Sequence, residues 1–517
     1  MSSSFFPTLG ELVKYLFDVS GALPRKYSSK DIIDSESKKK TIQKKLQRLK
    51  NEERELEGNL KELLSLLEGL LFSVIKDGRS QLALRSMLQN LVAGYQQLVS
   101  TEGTYLSRSE SIKWALKNRM LDRFVLSLNK YQMMNSEYYR KWSFPEGLWW
   151  LPDLSGDKIK WPMNTAYQWV YDEVGVNQTH FHFPDHGLID DDRLAQNLQN
   201  IHRWVNEGRT PSWSSVEKNL TDSIRALADA TREEHRVLIN EEEKENFMFV
   251  LFFARISNEI FKTMLDSFGA DYVEDIIGHI TKQQLCINEG RGVLKRAIEQ
   301  KISDIDDPYQ CYRDRAYYIT TMHYWNNLEK NVALELSELF ANPRSEYLYQ
   351  NVSVLAANIF AEAVKYSQSV YFDRTLIEMV NRGLKLKGGR LCTKENISDF
   401  ETLLDEEGLK VKLSWLLDWI TAAYYYHNEE DEKAFPLFLS AFEKAKYCAG
   451  KNQYKLVNQY VESCAKNGKW KEFKKGVAWA NYLGIEIRWH RGCEETDEKL
   501  SFAYNLMKEK AMRYPVL

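Results

Sequence analysis

The sequence contains few residues that break helices. Its 517 residues include 25 glycines and 11 prolines. β-Sheet proteins need turn residues every few positions, so this scarcity indicates long helices. Hydrophobic residues make up 44% of the chain and charged residues 28%, which is the balance of a folded globular protein rather than a disordered one. We therefore predict an all-α protein.

Paired cysteines and long apolar runs are also missing. The six cysteines are scattered and form no C-x-x-C pair, which argues against a disulfide framework or a structural zinc site. The best apolar run, residues 247–254, is far shorter than the ~20 residues needed to cross a bilayer. The first residues lack the basic and apolar regions of a signal peptide. We expect a cytoplasmic protein that does not enter a membrane.

No strong net charge draws the whole chain toward nucleic acid, because the formal net charge is −3. The length exceeds what one hydrophobic core supports, so several units are expected. We predict a helical, coiled-coil-like N-terminal domain (1–140), a central helical domain with a segment rich in Trp and Pro (141–345), and a C-terminal domain resembling helical repeats (346–517).

Apolar residues recur at heptad spacing between residues 36 and 76. Steps of four and three connect Ile42, Leu46, Leu49, Glu53, Leu56, Leu60, Leu63, Leu67, Leu70 and Val74. A break at Asp77-Gly78 and a second apolar series over 84–98 predict an antiparallel helical hairpin with a coiled-coil-like seam. Such seams also define oligomers, so a homo-oligomer formed through residues 42–74 is the alternative.

The last third of the chain contains helix pairs. Apolar helical faces flank a polar turn at Asn428–Asp431 and a second turn at Asn467-Gly468, roughly 38 residues apart, within the range of helix-pair repeats. In layout, residues 412–486 resemble tetratricopeptide and pentatricopeptide repeats, although small residues expected at several helix crossings are missing. The resemblance implies an irregular α-solenoid whose concave surface binds a protein partner.

Two strings in the middle of the chain suggest a DNA-binding module. YDEVGVNQTHFHFP has a glycine, Gly175, between two helical stretches, and a later string contains Trp204, Gly208, Arg209, Pro211 and Ser215. Residues 165–222 thereby resemble the helix-turn-helix of Cro/repressor-type domains. About ten additional residues, three of them aspartates, separate the two halves.

That resemblance implies which residues face DNA. In such a module Gln178, Thr179 and His180 would point into the major groove, with Arg203 and Arg209 beside them.

Two basic clusters are candidates for phosphate contacts. The first, over residues 38–50, includes Lys44, Lys45 and Arg48, which we assign to DNA binding. The second flanks Gly388-Gly389, and its predicted phosphate-binding residues are Arg382, Lys385, Lys387 and Arg390. Charge runs of this kind are also typical of solvated helix faces, so both interpretations stay open.

One histidine cluster is the best candidate for chemistry. His180, His182, Asp185 and His186 come close to the H-x-H-x-D-H metal motif of the metallo-β-lactamase fold, with one extra residue before the Asp. In an extended segment these histidines would share one side and could bind a metal. The alternative is a turn-rich segment with hydrogen-bonded histidines. The sequence has no G-x-S-x-G or H-E-x-x-H motif.

These patterns favour a non-catalytic adaptor or regulator that binds a protein partner through helical-repeat and coiled-coil surfaces, without a cofactor. The first alternative is a DNA-binding component, which requires the two basic clusters and residues 175–215 to share one surface. The second is a metal-dependent enzyme, which requires His180, His182 and His186 to converge.

Overall fold

The computed structural model shows an all-α protein. It describes residues 6–20, 36–52, 56–101, 108–117, 121–133, 135–136, 142–156, 158–184, 191–230, 236–302, 374–387, 391–487 and 496–510. These residues form 19 helices and no β-strand, and the only β-structure among them is isolated bridge residues such as the pair Asp153 and Lys160. No helix within these ranges is long and apolar enough to span a membrane. The predicted fold class is confirmed.

Twelve of these helices precede residue 303. They are α1 (Leu9–Ser20), α2 (Glu36–Lys50), α3 (Leu56–Val74), α4 (Gly78–Thr101), α5 (Arg108–Ala115), α6 (Leu121–Met133), α7 (Pro162–Val174), α8 (Gln178–His182), α9 (Asp191–Asn206), α10 (Trp213–Ala228), α11 (Glu241–Phe268) and α12 (Ala270–Ile302).

Seven more helices follow in the described C-terminal part. They are α13 (Arg374–Leu386), α14 (Lys394–Glu406), α15 (Ser414–His427), α16 (Asp431–Ala445), α17 (Asn452–Lys466), α18 (Trp470–Leu483) and α19 (Asp497–Lys510). The sequence also predicts an earlier helix pair at about 353–386, and its residues before Arg374 lie outside the described residues.

The predicted heptad seam is divided between two helices. The sequence predicted one helix across residues 36–76, but α2 ends at Lys50 and the chain turns at Asn51 and Glu52 before α3 begins. Glu52 has a positive φ of 53°, which helical residues do not adopt. The expectation of one continuous helix is therefore wrong. Helices α2 and α3 pack against each other and against α1.

Two large apolar clusters form the interior. The first joins α1–α4 to the C-terminal helices, and seam residues such as Leu46, Leu63 and Leu67 are buried in it. The second joins α6, α7 and α10–α12 to the Trp-rich segment around Trp149 and Trp150. The predicted boundaries near 140 and 345 lie outside the described residues, so the division into three domains stays a prediction.

A polar network ties the N-terminal helices to the C-terminal ones. The Tyr447 hydroxyl donates a hydrogen bond to the Glu52 carboxylate, and the Lys446 ammonium lies 3.4 Å from the same carboxylate. Gln453 donates to the carbonyl of Val99 at 2.8 Å. Partners more than 350 residues apart in sequence thus bind each other at this interface.

A buried arginine connects α1 to the central helices. Arg255, on α11, donates to the carbonyl of Pro211 at 2.8 Å and to the carbonyl of Val19, in the last turn of α1, at 2.9 Å. A cation at a helix C-terminus complements the partial negative charge there. Helix α1 is therefore held by the central helices as well as by α2 and α3.

Glycines allow close helix crossings among the C-terminal pairs. Helices α15–α18 pack consecutively, and Gly484 ends α18 in the left-handed conformation at a φ of 72°. A Cβ at Gly476 would lie 2.7 Å from a methyl group of Val461, and one at Gly383 would lie 2.7 Å from a methyl of Leu416. Glycines therefore occupy these two helix crossings, although the sequence pattern did not predict small residues there.

We expect Gly10→Ala to destabilise the protein, because α1 crosses α2 at this glycine. A Cβ there would lie 2.5 Å from the carbonyl oxygen of Leu49, and the backbone of α2 would have to move. The loss should be about 1–3 kcal/mol in the free energy of unfolding, measured by urea denaturation.

Gly58→Ala is the matched control for this prediction. Gly58 lies within α3, and a Cβ there would meet nothing within 4 Å. Alanine should therefore stabilise by up to about 1 kcal/mol through helix propensity. Equal effects of the two substitutions would contradict the close crossing of α1 and α2.

Candidate anion-binding site

The segment predicted to resemble a helix-turn-helix is helical. Gly175 ends α7 at a φ of 75°, and Asn177 caps α8 by accepting a hydrogen bond from the amide of His180 at 2.9 Å. Helix α8 has five residues and packs against α7, α9 and α10. Of the three predicted DNA-facing residues, Thr179 is exposed, whereas Gln178 and His180 are half-buried.

The motif positions after α9 have packing roles. Trp204 is buried, and a Cβ at Gly208 would overlap the indole ring of Trp161. Ser212, not Ser215, caps α10, since its hydroxyl accepts the Ser215 amide at 3.2 Å. These residues would be needed for the fold whether or not the segment binds DNA. The two arginines predicted beside the site differ in exposure, Arg203 being half-buried and Arg209 exposed.

His182 makes hydrogen bonds with both ring nitrogens. Its Nε2 lies 2.9 Å from the Tyr171 hydroxyl on α7, and its Nδ1 lies 2.8 Å from the Ser223 hydroxyl on α10. The side chain is fully buried, and burial lowers its pKa to about 3. Because neutral imidazole suits these two hydroxyl partners, His182 connects three helices as an uncharged group.

Two of the predicted metal ligands, His180 and His182, do not share one side of the chain. The sequence interpretation required an extended segment, but both residues lie on α8, where side chains two positions apart point to different sides. With both its nitrogens bonded, His182 presents none to a metal. Asp185 and His186 lie outside the described residues. Among the residues that the structure describes, no three His, Cys, Asp or Glu side chains are grouped to hold an ion.

The first basic cluster is partly neutralised within the chain. Lys45 forms an ion pair with Glu62, whereas Lys44 and Arg48 are exposed and pair with no described residue. Helix α2, which carries them, packs against α1 and α3, and within the described residues it has no extensive packing against α8–α10 or α13. The structure therefore gives no contact that would join this cluster to the predicted helix-turn-helix.

The second basic cluster is split between two sides of α13. Arg382 and Lys385 are exposed. Lys387 follows the buried Gly383 by four residues and so continues the buried side of the helix. Arg390 lies outside the described residues. The four predicted phosphate-binding residues do not, as far as they are described, converge on one point.

Lys387 instead belongs to a cluster drawn from three helices. Its Nζ lies 3.7 Å from the ring centroid of Trp419 on α15, and the Trp419 Nε1 donates to the Oε1 of Gln459 on α17 at 2.6 Å. Lys455 lies one turn before Gln459 on α17 and close enough for its charge to affect Lys387. We call Lys387, Trp419, Lys455 and Gln459 the Lys387 cluster.

The electrostatics of the Lys387 cluster favour an anion. Burial and, to a smaller extent, repulsion from Lys455 lower the pKa of Lys387 to about 8, against an opposing effect of nearby Cys392. The Trp419 ring face opposes this shift, because it attracts the charged ammonium. Neither lysine forms an ion pair with a carboxylate in the described part of the chain. An anion would supply the missing negative charge.

Of the four residues in the Lys387 cluster, the sequence pattern indicated only Lys387. Lys387 stood out in a charge run, whereas the other three residues are separated from it by 30 or more positions and belong to no motif. Trp419 is buried, as are Trp415 and Trp479. An i, i+4 pair such as Lys455 and Gln459 is too common on helices to signal a site.

Protein stability should fall in acid because of His182. The pKa of a histidine in the unfolded chain is about 6.5, and above that pH the imidazole is neutral in both the folded and the unfolded state. Between that pH and about 3, only the unfolded chain binds the proton, which favours unfolding. The free energy of unfolding should thus lose at most about 1.4 kcal/mol per pH unit through this residue. His182→Gln should have a shallower slope between pH 6.5 and 4.5 in urea titrations.

His202→Gln is the control for that measurement, because His202 is exposed on α9. Its pH slope should match that of the unmodified protein. The same slope in His182→Gln as in His202→Gln would show that His182 is not buried in the neutral form.

No protein-family model, curated protein or solved structure matches the chain. Its function is therefore inferred from its own residues.

Proposed function

We propose that this protein is a non-catalytic helical adaptor that binds an acidic segment of a protein partner on its C-terminal helices. The observation that supports this most directly is the Lys387 cluster, in which two lysines converge without a carboxylate. Lys387 is half-buried, and an uncompensated charge there is costly unless a ligand of opposite charge binds, while Lys455 on α17 is exposed to that ligand.

The N-terminal helices restrict where such a partner can bind. Helices α17 and α18 pack against α3 and α4, so that side of the C-terminal pairs is already filled. The seam predicted to bind a partner strand is buried there too, with Leu63 and Leu67 nearly inaccessible. We therefore assign the adaptor surface to the exposed residues of α15, α17 and the end of α13 that these contacts leave uncovered.

Apolar residues accompany the lysines on this surface. Leu391 is 52% exposed and precedes Cys392, whose sulfur contacts the carbonyl of Ile420 on α15. Tyr454 is 39% exposed and precedes Lys455. Exposed apolar groups beside uncompensated cations suit an acidic segment with apolar residues, because the cations attract it and the apolar contacts add affinity.

DNA binding is the second candidate, and one observation favours it. Lys44 and Arg48 are exposed on α2 and form no ion pair with a described residue. Phosphodiesters would bind such residues with a strong dependence on salt. The two functions use different surfaces, so charge reversals separate them.

The test measures two ligands by fluorescence anisotropy. A labelled peptide of alternating Glu and Leu residues and a labelled duplex DNA would each be titrated at about 50 and 200 mM salt. We expect the peptide to bind, and Lys455→Glu to weaken it about tenfold, the loss typical of one charge-assisted contact.

Two variants serve as controls in that titration. Lys508→Glu reverses an exposed, unpaired lysine on α19 and should leave peptide affinity unchanged. Arg48→Glu should also leave it unchanged. A peptide affinity that Lys455→Glu leaves unchanged would contradict the proposal. Tight DNA binding that Arg48→Glu abolishes would support the second candidate in its place.

A further inference from the structure

The hydrogen-bonding groups of the Lys387 cluster are all donors. Because an indole N–H can only donate, the atom of Gln459 that faces Trp419 is the Oε1 acceptor. The Nε2 amide group of Gln459 therefore points away from the indole, and it makes no hydrogen bond to a described residue. Two ammonium groups and one amide are left to donate.

The Trp419 ring attracts the Lys387 ammonium without accepting a hydrogen bond from it. The ammonium lies over the ring face, where the attraction is electrostatic and no N–H needs to be shared with an acceptor oxygen. Trp419 itself is fixed by complete burial and by its bond to Gln459. Lys387 is thus positioned while its hydrogens stay available to a ligand.

The donor set fits a dianion with several oxygens better than a carboxylate. A carboxylate carries one negative charge, so it would neutralise only one of the two ammonium groups. A phosphate monoester carries about −1.5 to −2 charges at neutral pH and has three acceptor oxygens. Two ammonium groups and one amide match both that charge and that number of acceptors.

We propose that the Lys387 cluster binds a phosphate monoester, namely a phosphorylated side chain of the protein partner. This inference rests on the proposed function, because it names the chemical group through which the acidic segment is recognised. The two lysines neutralise the phosphate, the Gln459 amide contacts its third oxygen, and Trp419 forms the floor beneath Lys387.

The test follows the acylation of individual lysines in the full-length protein by mass spectrometry. The probes are inorganic phosphate, a phosphoserine peptide and the same peptide with glutamate in place of phosphoserine, with chloride added to equal ionic strength. We expect phosphate and the phosphopeptide to slow acylation of Lys387 and Lys455 about tenfold, which corresponds to a site about 90% occupied. Lys385, which is exposed in the last turn of α13 two residues before Lys387, is the internal control and should not change.

The substitution Gln459→Glu tests the donor set directly. A glutamate oxygen can still accept the Trp419 N–H, so the packing is kept, but the Nε2 donor becomes a negatively charged oxygen. Protection of Lys387 by phosphate should be lost, while the thermal unfolding midpoint stays within a few degrees. Unchanged protection in Gln459→Glu would overturn the proposed site.

The outcomes separate this inference from the proposed function. Equal or stronger protection by the glutamate peptide would overturn the phosphate inference and keep the acidic-partner function. Protection by inorganic phosphate but not by the phosphopeptide would show a site for free phosphate and overturn recognition of a phosphorylated partner. No protection by any probe would overturn both proposals.

Discussion

The fold depends on the burial of the N-terminal helices, which contribute residues to both of the large apolar clusters. Helix α3 buries Leu63 and Leu67 in the apolar cluster that includes the C-terminal helices, while Leu84, on α4, belongs to the cluster of the central helices. Buried Arg255 adds a polar link from α11 to the end of α1. The same few helices thus stabilise both halves of the chain, and they decide which side of the C-terminal pairs stays open.

Much of the helical structure was predictable because local residues determine where helices begin and end. Pro162 lies in the first turn of α7 and Gly175 at its left-handed end, positions that proline and glycine favour in any helix. Gly484 likewise ends α18. The scarcity of glycine and proline was enough to predict the fold class. These effects need no knowledge of distant contacts.

Other features could not be predicted, because partners distant in sequence determine them. Glu52 turns the chain within an otherwise regular heptad pattern, where Tyr447 and Lys446 bind its carboxylate. His182 belonged to a metal-like pattern, yet a hydroxyl from another helix bonds to each of its nitrogens. Of the candidate site, only Lys387 was predicted. The spacing of residues along one helix does not show which other helix will cover it.

The heptad seam has a consequence for work with fragments of this protein. In the whole chain its leucines on α3 lie in the same apolar cluster as the C-terminal helices, and α3 packs against α18. A fragment that ended before α13 would expose that side of α3, a surface with the spacing that lets helices associate in pairs. Such a fragment would self-associate or bind amphipathic helices through leucines that α18 covers in the whole chain.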